Sequence, residues 1–167
     1  MAFIDFIKAA GEKLFHTGGA SAAPQSSGTA QSAAEKSAAA DAAAGDAILA
    51  YIKSQNLDAT ALTVTYDSGS EVVTVYGVAK DQATKEKIIL CCGNVANVSR
   101  VDDKMSVEQS GPEAKFYTVK SGDTLSKISK DAYGDANQYP KIFEANRPML
   151  KSPDKIYPGQ VLRIPPA

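Results

Sequence analysis

Residues Phe116 to Pro165 carry the sharpest local punctuation in the chain, and that punctuation leaves few folds open. An alternating run, Phe116-Tyr117-Thr118-Val119, leads into Lys120-Ser121-Gly122-Asp123-Thr124-Leu125, where a turn gives way to a helix start capped by either Asp123 or Thr124. A second alternating run, Val161 to Ile164, follows Ile156-Tyr157-Pro158-Gly159-Gln160, in which Pro158-Gly159 fits the centre of a tight turn. Two helical patterns lie between them, Leu125 to Tyr133 and Tyr139 to Asn146. The order is therefore strand, helix, helix, strand, with Leu125, Ile128, Ile142 and Phe143 placed in the core by their spacing.

That order, with Ser-Gly-Asp-Thr-Leu at its start, Asn146 ending the second helix and Ile-Tyr-Pro-Gly-Gln-Val-Leu-Arg-Ile-Pro at its close, resembles a LysM domain over the whole module. The resemblance implies recognition of N-acetylglucosamine-containing glycans such as peptidoglycan, in a shallow groove between two loops. Here those loops hold Gly122, Asp123, Thr124 and Leu125 on one side and Ile156, Tyr157 and Pro158 on the other. Read as residues alone, Asp123 and Thr124 equally serve a helix N-terminus, and Leu125 equally serves the core.

The chain has 167 residues and a formal net charge of -1, so it offers no electrostatic reason to expect nucleic acid or an anionic membrane as partner. Its two cysteines, Cys91 and Cys92, are adjacent and read as small apolar residues at a helix end rather than as a disulfide framework. Within the first fifteen residues Asp5, Lys8, Glu12 and Lys13 interrupt every apolar run, so no secretory signal is expected. No later stretch approaches the roughly 20 apolar residues of a membrane span. These features predict a cytoplasmic monomer, in which a LysM module has no wall to bind.

Ahead of that module, residues 17–44 are dominated by Ala, Ser, Gly, Gln and Thr and read as a flexible linker, with a tendency to helix from Ala33 to Ala44. Patterning resumes at Asp46. Ile48, Leu49, Tyr51 and Ile52 give a helical stripe; Leu62 to Tyr66 and Val72 to Gly77 are β-rich runs joined by Asp67-Ser68-Gly69-Ser70; Asp81 to Cys92 is helical; Val98 to Val101 is a short strand before Asp102-Asp103. This segment, with Val75-Tyr76-Gly77 closing the hairpin and Val101-Asp102-Asp103 after the last strand, resembles a BON domain. The expected architecture is α+β with two small domains: a helix over 1–16 docked on an αββαβ BON domain over 45–105, a linker over 106–114 holding Gly111-Pro112, and a βααβ LysM domain over 115–167.

The combination, preceded by Phe6-Ile7-Lys8-Ala9-Ala10-Gly11-Glu12-Lys13-Leu14, resembles the family of small bacterial cytoplasmic potassium-binding proteins. The Ala/Ser-rich tether departs from it. Selective K⁺ sites replace the ion's hydration shell with carbonyl dipoles, and helix ends supply them because the last four carbonyls have no intrahelical partner. Two segments fit: Ala10-Gly11-Glu12, and Cys92-Gly93-Asn94-Val95, where a left-handed Gly93 would stop the helix and its dipole would favour a cation. The resemblance implies backbone ligands at Ile7, Ala10, Glu12, Gly93, Val95 and Val98, and a sensor role in which K⁺ changes the BON–LysM arrangement. The alternative is a peptidoglycan-binding protein acting through LysM; a stress-related adaptor that binds neither is a third. An enzyme is not expected: the single histidine, His16, borders the tether, no nucleophile has a placed base, and Asp102-Asp103 reads as a solvated turn before it reads as a divalent-metal pair.

Overall fold

The computed structural model describes residues 2–5 and 30–167. In chain order these form β1 (Ala2–Asp5), α1 (Ala30–Ser54), β2 (Ala59–Asp67), β3 (Val72–Asp81), α2 (Gln82–Gly93), β4 (Arg100–Gln109), β5 (Lys115–Thr118), α3 (Leu125–Tyr133), a 3-10 turn (Ala136–Gln138), α4 (Tyr139–Ala145) and β6 (Val161–Ile164).

A four-stranded sheet of order β1-β4-β3-β2 and a two-stranded sheet β5-β6 make two domains of mixed helix and strand. In the first, β2 and β3 form the expected antiparallel hairpin, and β3 then pairs parallel with β4 through the α2 crossover. Alternate residues Val73, Val75, Ala79, Val101 and Met105 point from the sheet into a core shared with Ile48 and Ile52 of α1 and Ile88, Ile89 and Cys92 of α2. Gly77 has a structural cause. A bulge sets Ala61 and Leu62 opposite it, its φ is +143°, and a Cβ would meet the Thr60 carbonyl at 3.1 Å and the Leu62 Cα at 3.2 Å. Gly45 lets α1 lie directly on β2, since a Cβ there would stand 2.7 Å from the Val64 carbonyl.

Three boundaries differ from the sequence expectation. Ala2–Asp5, expected within a helix over 1–16, is a strand added antiparallel to β4 with Asp5 opposite Arg100; the otherwise unpaired N–H and C=O groups of that sheet edge outweigh the local helical spacing. Residues 6–16 lie outside those described. The linker expected over 17–44, with a helical tendency from Ala33, is helix outright from Ala30 onward, because alanine is the best helix former and α1 is already anchored by Ile48 and Ile52, so extending it needs no new nucleus. Asp41 in that extension accepts the Ser68 N–H of the hairpin turn at 3.3 Å. Finally, β4 continues to Gln109, through the first part of the linker expected over 106–114, because Val107 packs on the core and Gln109 pairs with Asp81.

The second domain follows the expected order. Thr124 caps α3, accepting the Lys127 N–H at 3.3 Å, and Leu125, Ile128, Ile142, Leu150 and Leu162 fill its core. Val161, Phe116 and Met149 face the other way and pack against the core of the first domain, while the second domain keeps its own separate core.

Candidate functional site

Helix α2 starts with Asp81, whose carboxylate accepts the Thr84 N–H at 2.7 Å and is thereby held below its ordinary pKa. Its other end is wholly apolar. Leu90, Cys91, Cys92 and Gly93 are buried, the last turn has no basic residue, and the helix dipole's negative end therefore meets no protein cation on that turn. Burial pushes the Cys91 thiol up to about 12 and raises Cys92 as well, so both are neutral packing groups.

Beyond α2 the chain makes a compact turn through Asn94, Val95, Ala96 and Asn97 to Val98. The Asn94 N–H donates to the Leu90 carbonyl at 3.0 Å, and the Tyr66 hydroxyl donates to the Asn97 carbonyl at 3.0 Å. Together with Ala44, Ala47, Ile48 and Tyr66 this turn lines a small, mostly apolar cleft. Gly93, Val95 and Val98 thus lie in one short segment, and with the Val95 and Val98 side chains in the core, these two residues can offer a ligand only backbone. The left-handed residue that reverses the chain is Asn97 at φ 64°; Gly93 instead closes the helix, and Asn94 is its cap at φ -87°. Asparagine tolerates the left-handed region well enough to serve there. Ile7, Ala10 and Glu12 lie outside the described residues.

Asp102 and Asp103 are strand residues rather than a turn, and successive side chains on a strand point to opposite faces. Asp103 pairs with Lys85 at 2.9 Å and Asp102 with Lys104 at 3.3 Å, so they form no metal pair. Among the described residues no three His, Cys, Asp or Glu side chains cluster as a metal site.

In the second domain a groove is lined by Asp123, Thr124, Leu125, Ser126, Tyr139, Pro153, Asp154 and Ile156. Four of the seven residues expected there contribute; Gly122, Tyr157 and Pro158 are not among the lining. The Asp123 carboxylate accepts the Lys120 N–H and the Tyr117 hydroxyl, both at 2.8 Å, which holds its pKa low and commits the side chain to its own loop. The Gly122 carbonyl accepts Lys127 Nζ at 2.8 Å. Tyr157 is half-buried with its hydroxyl enclosed, and burial raises its phenol; burial likewise, with Cys91 beside it, pushes the Tyr51 phenol of α1 up to about 12. Sequence reasoning missed Tyr139, whose signal is a large aromatic at the first position of α4 left partly exposed.

The two domains meet through α2 and β6. Glu86 Oε2 accepts Arg163 Nε at 2.6 Å, while Glu86 Oε1 accepts the Ala114 N–H and Gln82 Nε2, each at 2.9 Å. The Asn94 amide spans the same boundary to Val161.

Comparison with known proteins agrees with this architecture. Residues 45–109 match the BON domain and residues 117–165 the LysM domain. The potassium binding protein Kbp of Escherichia coli O6:H1 is 55% identical over 108 residues, which cover 65% of this chain and 71% of that protein. An uncharacterized protein of Deinococcus radiodurans is 37% identical over 71% of this chain and 50% of its own length. An endolysin of Bacillus phage B103 is 31% identical over 54% of this chain and 31% of its own length.

Proposed function

Because the chain belongs to the family of small BON–LysM proteins that includes the potassium binding protein of Escherichia coli, we propose that it binds K⁺ through backbone carbonyls at the C-terminal end of α2. The observation that carries this is one of placement. β1 ends at Asp5 opposite Arg100, so Ile7 follows by two residues the same strand pair that Val98 precedes by two. At about 3.5 Å per residue, no more than about 7 Å of chain separates Ile7 from Asp5, or Val98 from Arg100. The two chain segments that carry Ile7, Ala10 and Glu12 on one side and Gly93, Val95 and Val98 on the other therefore join the sheet at the same end of one strand pair, Asp5 opposite Arg100. The last turn of α2 carries no basic residue, so its dipole favours a cation there, and a carbonyl set suits a large, weakly hydrated monovalent ion better than a carboxylate cage would.

Calorimetry of the full chain with KCl and NaCl at matched ionic strength tests the assignment. Heat with K⁺ and little with Na⁺ is expected, and equal heats refute it. Removing residues 1–15 removes three of the ligands and abolishes the K⁺ heat; undiminished binding removes Ile7, Ala10 and Glu12 from the site. In this reading the protein is a cytoplasmic sensor, and K⁺ shifts the population between arrangements of BON and LysM. A smaller radius of gyration in K⁺ than in Na⁺ is the expected scattering result; identical values leave a buffer.

The groove beside Tyr139 favours a second activity, binding of N-acetylglucosamine-containing glycan. Sugar faces stack on exposed aromatics, and Tyr139 stands partly exposed on the groove that Asp123 to Ser126 also line. Titration with chitooligosaccharide, followed by amide shifts at Ser126, Tyr139 and Asp154, tests it; no shift at these residues refutes it.

A further inference from the structure

Strand β6 is paired on only one edge. The Val119 N–H donates to the Gln160 carbonyl at 2.8 Å, and in an antiparallel ladder that phase directs Leu162 and Ile164 toward β5 and turns the N–H and C=O of Val161 and Arg163 outward. Two asparagine amides stand where a third strand would be. Asn146, from the same domain, accepts the Arg163 N–H at 2.7 Å and donates to the Arg163 carbonyl at 2.8 Å. Asn94, from the other domain, accepts the Val161 N–H at 2.9 Å and donates to the Val161 carbonyl at 3.0 Å. A primary amide presents one acceptor and one donor side by side, which is what a strand edge needs.

We propose that Asn94 is the positioning residue that couples the cation loop to the seating of the LysM domain. The proposal rests on the potassium reading above. Asn94 lies between Gly93 and Val95, two carbonyl ligands of that reading, and its N–H shares a rigid peptide plane with the Gly93 carbonyl. When an ion fixes the Gly93 and Val95 carbonyls, it fixes the torsions of the residue between them and so the direction of the Asn94 side chain. Both Asn94 and Val161 are buried, at 8% and 4% exposure, so a loop displaced by an ångström breaks two hydrogen bonds that water does not readily replace. Glu86 and Arg163 bridge the same domains from the regular interior of α2, two turns upstream, where ion occupancy has no comparable leverage. One clasp is tied to the loop and the other is not.

The Ala114 N–H reports seating from a distance, because its bond to Glu86 Oε1 crosses the interface well away from Asn94. In the full chain, hydrogen exchange at Ala114 is expected to slow in KCl relative to NaCl at matched ionic strength, by about 5- to 150-fold, the range of ordinary allosteric couplings. Asn94→Ala should remove that K⁺-dependent increment and, by reciprocity, weaken K⁺ binding by a similar factor, although no ligand atom has been deleted. Asn94→Asp, which keeps the acceptor for Val161 and loses the donor, should fall between and serves if the alanine variant does not fold. If either folded variant keeps the full K⁺ increment at Ala114 with wild-type K⁺ affinity, Asn94 is interdomain glue and the proposal is overturned. Absence of K⁺ heat in the wild-type chain is a different failure: it overturns the potassium reading and, with it, the coupling.

Discussion

Replacing Glu86 by leucine should cost about 3–5 kcal/mol, because it strands a buried guanidinium rather than exposing a surface one. Arg163 is 7% exposed and Glu86 2%, and the carboxylate holds three donors: Arg163 Nε, the Ala114 N–H and Gln82 Nε2. Arg163→Met should cost about the same, since it leaves the carboxylate buried with two neutral donors. The double variant is the decisive one. Two apolar side chains of similar volume often match a buried ion pair or improve on it, and the remaining loss is the unmet Ala114 N–H, about 1–3 kcal/mol. The two single costs should therefore overshoot the double by about 3 kcal/mol or more. Urea unfolding followed through amide intensities in each domain measures all four corners. Costs additive within about 0.5 kcal/mol would mean that water reaches both groups and that the domains are not seated as described.

Stability should be flat through neutral pH and fall at both ends. Asp81 and Asp123 have folded pKa values lowered by backbone hydrogen bonds, so their contribution is present above the ordinary carboxylate value of 3.8 and lost as pH falls below it, and Asp123→Asn should flatten that limb. Cys91, raised to about 12, contributes stability that is present below the ordinary thiol value of 9.0 and lost as pH rises from there, so Cys91→Ala should flatten the alkaline limb of a pH series of urea melts. Gly77→Ala should cost about 1–3 kcal/mol by calorimetric melting, from its positive φ and the close Thr60 carbonyl. Tyr139→Ala should weaken chitooligosaccharide binding by about tenfold or more with the melting temperature little changed, because the ring is at the surface of the groove.

The elements that could be read from sequence are those whose signals are local. Pro158-Gly159 marks its turn because Gly159 sits at φ 87°, and α3 announces itself through Thr124 and the Leu125/Ile128 spacing. What escaped depends on partners distant in the chain. Ala2–Asp5 is a strand only because the β4 edge is there to receive it; the helical tendency of Ala33 to Ala44 was legible, and what was not is that the anchored turns beyond it carry the cost of nucleation and make Ala30 onward fully helical. The site shows the same division. Gly93, Val95 and Val98 fall in one turn, as contiguity requires, but nothing near Asn94 in the sequence indicates that its amide reaches Val161, 67 residues on. Tyr157 is similar: its place in the Tyr-Pro-Gly turn suggests the groove, and nothing local indicates that its hydroxyl is enclosed away from the groove lining.

The two proposed binding sites lie on different surfaces. Val161, Arg163, Phe116 and Met149 are spent on seating LysM against BON, and none of them lines the groove made by Asp123 to Ser126, Tyr139, Pro153, Asp154 and Ile156. Docking therefore leaves the groove open. Ile156 lines the groove, and its neighbour Tyr157 is half-buried with its hydroxyl enclosed and does not line it. A glycan that shifts Ile156 must shift the Tyr157 backbone, whose N–H donates to Gln160 Oε1 at 3.2 Å beside Val161. If both proposed ligands bind, the hydrogen bonds Tyr157–Gln160 and Asn94–Val161 lie on the shortest covalent and hydrogen-bonded path between their sites. Reciprocity requires that any effect of K⁺ on glycan affinity be matched by an equal effect of glycan on K⁺ affinity, so Asn94→Ala should reduce both by the same factor when titrations of one ligand are run with and without the other.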